Sequence, residues 1–151
     1  MNTTIISFRI HKNLREWLVL AGKGFNSEGE LPRLIITKVA IEQSSDIGMV
    51  KAVKGLLRRE RAISIGNTTV CAVRLPAEMA ELARECATRR GKTTSEWCAD
   101  ALDAWYREFY QAYEGLDGQV NFPKYAINYR ALVEGRLNVY AQKGDKQEVV
   151  A

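Results

Sequence analysis

The segment Asn2-Thr3-Thr4-Ile5-Ile6-Ser7-Phe8-Arg9-Ile10 returns 65 positions later as Asn67-Thr68-Thr69-Val70-Cys71-Ala72-Val73-Arg74-Leu75. The residues after each copy also match, in pattern more than in identity. A unit repeated at a fixed offset means that one structural module was duplicated, here a strand and two helices over roughly 45 residues. Any fold for this chain has to accommodate two such modules.

The second copy carries the sharper signals. Thr69 to Leu75 is β-branched and apolar and is stopped by Pro76, which favours a short strand. In a strand, Cys71, Val73 and Leu75 share one face, and Val70, Ala72 and Arg74 share the other. Pro76 suits the first turn of a helix. Met79, Leu82, Ala83 and Cys86 then take the i, i+3, i+4, i+7 spacing of an amphipathic helix, which Gly91 ends. Thr93-Thr94-Ser95-Glu96 fits a capping box and opens a second helix that reaches about Tyr113. Trp97, Ala101, Trp105 and Phe109 line one face of it.

The first copy has the same grammar. Ile6, Phe8 and Ile10 form one strand face; Ile5, Ser7 and Arg9 form the other. Leu14, Trp17, Leu18 and Ala21 take the places of Met79, Leu82, Ala83 and Cys86. Ser27-Glu28-Gly29-Glu30 offers a second capping box, with Leu31, Ile35 and Val39 after it. Pro32 falls within the first turn, where it is tolerated.

One copy alone leaves both strand edges unpaired and only one strand face covered. Two copies resolve this if the strands pair antiparallel across a local two-fold. The expected class is therefore mainly α with a short two-stranded antiparallel ribbon. The boundaries are repeat 1 at 1–43, a basic and partly helical linker at 44–66, repeat 2 at 67–113 and a C-terminal extension at 114–151. In the linker, Ser44-Ser45-Asp46 reads as a helix start. In the extension, Pro123 to Tyr140 reads as a helix, with a polar, frayed end after Gly144. A linker of this length permits pairing within one chain, as a pseudo-dimer, or between two chains, as a homodimer.

Charge is unevenly placed. Residues 1–66 hold 11 Lys/Arg against 6 Asp/Glu, whereas residues 67–113 hold 6 against 7. A basic cluster at Lys51, Lys54, Arg58, Arg59 and Arg61 suits a polyanion, although a solvated helix face has the same composition. The three cysteines lack metal-ligand spacing, and His11 is the sole histidine, so a reduced cytoplasmic setting without metal or other cofactor is expected. No apolar run approaches the ~18 residues of a membrane span. No Gly-rich phosphate loop, G-x-S-x-G or paired-carboxylate motif suggests an enzyme.

Strand, R-[IL]-[HP], amphipathic helix, turn and capped [ST]-x-x-E helix, in that order, resemble the Arc/MetJ-type ribbon-helix-helix family. The best-matching stretch runs from Val73-Arg74-Leu75-Pro76 to Thr94-Ser95-Glu96-Trp97. With both copies in one chain, the sequence is similar to the tandem ribbon-helix-helix accessory proteins of conjugative DNA transfer, the TraY type. The resemblance implies two ribbon-helix-helix repeats whose ribbon enters the major groove of duplex DNA. It places Ile5, Ser7, Arg9, Val70, Ala72 and Arg74 against base edges. Arg9 and Arg74 can each offer a two-pronged donor to guanine. Ile5, Val70 and Ala72 can meet only thymine methyls, and such a triplet is less polar than the family's usual one.

The resemblance also implies a phosphate clamp at the start of the second helix, where free N–H groups and the dipole favour an anion. Lys92, Thr93, Thr94 and Ser95 form it in the second copy, Asn26 and Ser27 in the first. Lys51, Lys54, Arg58 and Arg59 would add phosphate contacts. The expected function is that of a repressor, an autoregulator or a transfer-origin factor, associated with nucleoid or plasmid. The competing expectation is a scaffold that binds a protein partner through 114–151.

Overall fold

The computed structural model describes residues 2–45, 67–115 and 120–150. The linker residues Lys51, Lys54, Arg58, Arg59 and Arg61 lie outside them. Strand β1 spans Thr3–His11 and leads into α1 (Lys12–Ala21), a 3-10 turn (Gly22–Gly24) and α2 (Glu30–Ser45). Strand β2 spans Thr68–Pro76 and leads into α3 (Ala77–Arg89) and α4 (Thr94–Gly115); α5 (Phe122–Val150) closes the order. The described chain is thus mainly helical with one two-stranded antiparallel sheet.

The strands pair within the chain. Ser7 lies opposite Ala72, Ile5 opposite Arg74 and Arg9 opposite Val70. Period-two alternation then sorts the side chains. Phe8, Ile10, Cys71, Val73 and Leu75 are buried under the helices, and the intervening Ile5, Ser7, Arg9, Val70, Ala72 and Arg74 are exposed on the other face.

Helices α2 and α4 fill the core behind the ribbon. Leu31, Ile35 and Ile36 of α2 are buried, as are Trp97, Leu102, Trp105 and Phe109 of α4. Trp97 Nε1 donates to Gln43 Oε1 at 2.7 Å, tying α4 to α2. Truncating a buried tryptophan of this kind costs about 3–5 kcal/mol. Cys71, Cys86 and Cys98 are buried and unbridged. Burial pushes the Cys98 thiol up to about 12, with Cys71 adding to the effect.

Several local expectations are corrected. Ser44 and Ser45 belong to the last turn of α2, with Ser44 Oγ donating back to the Ile41 carbonyl, while Asp46 lies outside the described residues. The C-terminal helix starts at Phe122 and continues past Gly144 to Val150. It is not a loose tail. Ala126 and Val133 are fully buried, and α5 packs on α2 and on the 3-10 turn. A Cβ on Gly24 would lie 2.5 Å from the Phe122 carbonyl oxygen, so only glycine allows that approach.

The Ser27–Glu30 capping box is not formed. Helix α2 begins at Glu30, whose buried carboxylate pairs with Arg130 of α5 and accepts from the Asn26 N–H at 3.3 Å. Arg130 also lies over the Phe25 ring, 5.1 Å from its centroid. The acid is spent on a long-range anchor, and the helix start gains nothing from the Ser27 hydroxyl.

Candidate nucleic-acid interface

A two-stranded ribbon with one apolar face and one open face is the feature around which a site can be built. The open face carries six side chains in three cross-strand pairs: Ile5 with Arg74, Ser7 with Ala72, and Val70 with Arg9. Ile5 and Val70 are 56% and 51% exposed, which means that no described segment covers this face. The C-terminal helix packs elsewhere, so the apolar ribbon positions are not a hidden core.

The two arginines differ in their surroundings. Arg9 folds along the ribbon: its Nε donates to Thr68 Oγ1 at 2.9 Å and Nη2 approaches the Thr68 carbonyl at 3.5 Å. Its Nη1 end stays open. Arg74 has no hydrogen-bond partner among the described residues. Both present cations on the same face, four strand positions apart when measured on β1 between Arg9 and Ile5, the residue opposite Arg74.

The edges of the ribbon are served by helices. On the β1 edge, Ser95 Oγ donates to the Ser7 carbonyl at 3.0 Å, which brings the start of α4 against the strand. On the β2 edge, Arg15 Nη1 of α1 donates to the Val70 carbonyl at 3.2 Å. Nothing in the strand pattern marked Arg15 for this place. It stands on what reads locally as a solvated helix face.

At the start of α4 the expected capping box is present. Glu96 N–H donates to Thr93 Oγ1 at 3.1 Å, and the Glu96 carboxylate accepts from the Thr93 hydroxyl at 3.0 Å and from its N–H at 3.4 Å. Lys92 pairs with Asp100 across the helix start. These bonds change what the residues can offer an anion. The Thr93 and Ser95 hydroxyl protons and the Lys92 ammonium are already engaged. The remaining donors are the Thr94 hydroxyl and the backbone N–H groups of Thr94 and Ser95, which a helix start leaves unpaired.

In the first half, Asn26 and Ser27 are exposed but lie in the loop before α2, separated from its first turn by Glu28 and Gly29. The Asn26 N–H is taken by Glu30. The two helix starts are therefore unequal as anion sites.

His11 closes the strand–helix joint. Its Nδ1 accepts from the Asn13 N–H at 3.1 Å, so it acts as the N-cap of α1. At the matching joint, Pro76 provides no side-chain cap, and the Ala77 N–H donates to the Asn2 carbonyl at 3.1 Å.

Among the described residues no cluster of His, Cys, Asp and Glu could hold a metal ion, and no helix is long and apolar enough to cross a membrane. Comparison with protein-family models, with curated proteins and with solved structures gives no match to this chain.

Proposed function

We propose that the protein binds duplex DNA by laying the open face of its ribbon in the major groove, as a tandem ribbon-helix-helix reader in which both repeats belong to one chain. The observation that carries this reading is the exposed ribbon face, with an arginine at each end and its opposite face packed. A two-stranded ribbon matches a groove about 12 Å wide.

The register supports the pseudo-dimer. Residues related by the 65-residue repeat, Ser7 and Ala72, face each other, and the pair Ile5–Arg74 maps onto Val70–Arg9. That is the pattern of a local two-fold through the Ser7–Ala72 pair. Four strand residues span about 14 Å. At 3.4 Å per base pair, the two arginines would meet bases roughly four pairs apart. The unlike central pair and the tether on Arg9 make the halves of such a site unequal. The role fits a repressor, an autoregulator or an accessory factor at a transfer origin.

The test is binding to duplex DNA across a salt series, with selection of preferred sites as the second step. Contacts to ~4–8 phosphates give a log–log slope of roughly −4 to −7. Arg74→Ala should cost ~1–3 kcal/mol on a preferred site and relax base preference at one position. Arg9→Ala should cost less, since part of its guanidinium is already bonded to Thr68. A wild-type chain that shows no binding at low salt, or a flat salt dependence, would remove the reading.

A second reading has one observation in its favour. The outward side of α5 carries Ile127, Leu132 and Val139, exposed by 63%, 43% and 51%. A scaffold that docks a protein partner there would lose it in Ile127→Glu and Leu132→Glu, with DNA binding intact.

A further inference from the structure

Helix α1 carries a feature that the ribbon does not require. A groove of about 490 Å³ runs along its outer side, lined by Lys12, Arg15, Glu16, Val19, Lys23 and, from β2, Thr69. Three cations stand against one carboxylate. Lys12 and Lys23 are exposed, and neither has an ion-pair partner among the described residues. Arg15 joins this groove to the ribbon, because its guanidinium reaches the Val70 carbonyl on the β2 edge.

In the second half the equivalent positions carry no cation. Sixty-five positions on from Lys12, Arg15 and Lys23 stand Ala77, Ala80 and Thr88. Arg84, in the place of Val19, is tied to Glu81. Among the described residues, this row of cations thus stands on one side of the local two-fold.

We propose that the α1 groove carries the phosphate backbone of the duplex beyond the ribbon on one side only, which fixes the orientation of the protein on its site. The occupant is identified by charge and length. A chain of single negative charges matches a row of separated cations better than one compact anion does. From Lys12 to Lys23 is roughly 16 Å at 1.5 Å per residue. Measured along a duplex axis, that length covers about five phosphate steps of one strand. Val19 and the aliphatic stems of the lysines provide an apolar floor, while their ammonium heads stand at the rim.

This inference rests on the DNA-binding reading, and the experiment separates the two. Wild type and the double variant Lys12→Gln/Lys23→Gln are titrated with a selected duplex across a salt series and mapped by phosphate-ethylation interference. Both lysines are exposed, and a thermal melt checks that the fold is kept. Loss of two phosphate contacts lowers the magnitude of the log–log slope by about 2. The expected map loses interference on one flank, while base preference at the ribbon stays as in wild type. The reciprocal variant Ala77→Lys/Thr88→Lys should add interference on the opposite flank. An unchanged slope, or equal losses on both flanks, overturns the groove assignment and leaves ribbon binding standing. Wild type that binds no duplex overturns both.

Discussion

Between α3 and α4 the chain turns in four residues; between α1 and α2 it takes eight. The short turn is written in its own residues. Gly91 takes φ 68°, Lys92 N–H bonds the Ala87 carbonyl and Gly91 N–H bonds the Thr88 carbonyl, each at 3.0 Å. That is a Schellman closure leading directly into the Thr93–Glu96 box. The long turn has neither device. Gly22–Gly24 forms a 3-10 turn, Phe25 is buried, and Glu30 divides its carboxylate between the Asn26 N–H and Arg130 of α5. A module that encodes its own turn needs no outside support. One that does not must borrow a helix from elsewhere in the chain, and here the borrowed element is α5.

The strongest way to break this comparison is to remove the borrowed helix. A chain ending at residue 119 loses the buried contacts of Ala126 and Val133 and the cation paired with Glu30. Each large-to-nothing loss in a packed core costs about 2–5 kcal/mol, and several such contacts go with α5. Whole domains are stable by only about 5–15 kcal/mol, so cooperative folding of the first half should fail. Hydrogen exchange is the measurement. Protection should collapse first in α2 and persist longest in α3. Uniform loss across both halves, or an unchanged melt, would show that the halves do not differ in this way.

A smaller change sharpens the same point. Arg130→Ala keeps α5 but removes the partner of Glu30, whose side chain is 9% exposed. We expect a loss of about 3 kcal/mol, near the low end for a buried pair because Arg130 is itself 28% exposed. The corresponding change in the other half, Lys92→Ala, breaks a pair with Asp100 whose carboxylate side is 38% exposed. It should cost at most about 1 kcal/mol. Urea titrations of the two variants should keep that order. Equal losses would mean that the anchor to α5 is no more demanding than a surface pair.

Legibility in the sequence divides along the same line. Strand faces, the Gly91 turn and the Thr93–Glu96 box depend on residues a few positions apart, and local patterning found them. The repeat also implied the antiparallel pairing, although it left open whether one chain or two would supply the strands. S-x-x-E spacing looks the same whether Glu30 turns to its own helix or to an arginine 100 residues away. At the end of α5, Gly144 reads as a stop, yet the helix passes through it. At the site, the ribbon face was legible from alternation. The engagement of Lys92 by Asp100 and of Ser95 by the Ser7 carbonyl was not, since both partners lie outside the motif. Arg15, Lys12 and Lys23 stand on a helix face that looks solvated. The signal that marks them is the contrast with Ala80, Ala77 and Thr88 in the other copy.

The smallest of the three effects comes from pH. Burial pushes the Tyr125 phenol up to about 12; the hydrogen bond donated by Trp105 opposes the rise, and the charge of Glu108 adds to it. Burial pushes Tyr129 up as well, with Tyr125, Glu42 and Glu108 adding to the effect. Both tyrosines sit on the packed side of α5, Trp105 Nε1 lies 2.7 Å from the Tyr125 oxygen, and Phe109 meets the Tyr125 ring edge-on at 5.1 Å. A phenol raised in the folded state binds its proton more tightly there than in the unfolded chain, where it ionises near 10. The stabilisation is complete below about pH 10 and is lost as pH rises through about 12. The gap corresponds to at most roughly 3 kcal/mol for Tyr125, a ceiling because the ring is only partly buried. Raising the pH should therefore release α5 before it disturbs the turn at Gly91. Tyrosinate absorbance and Trp105 fluorescence should change together in that window, while the ribbon and α3 keep their exchange protection. The double variant Tyr125→Phe/Tyr129→Phe should flatten most of the alkaline step. If Trp105 responds identically in that variant, the alkaline sensitivity belongs to another group and the borrowed helix is not the weak point.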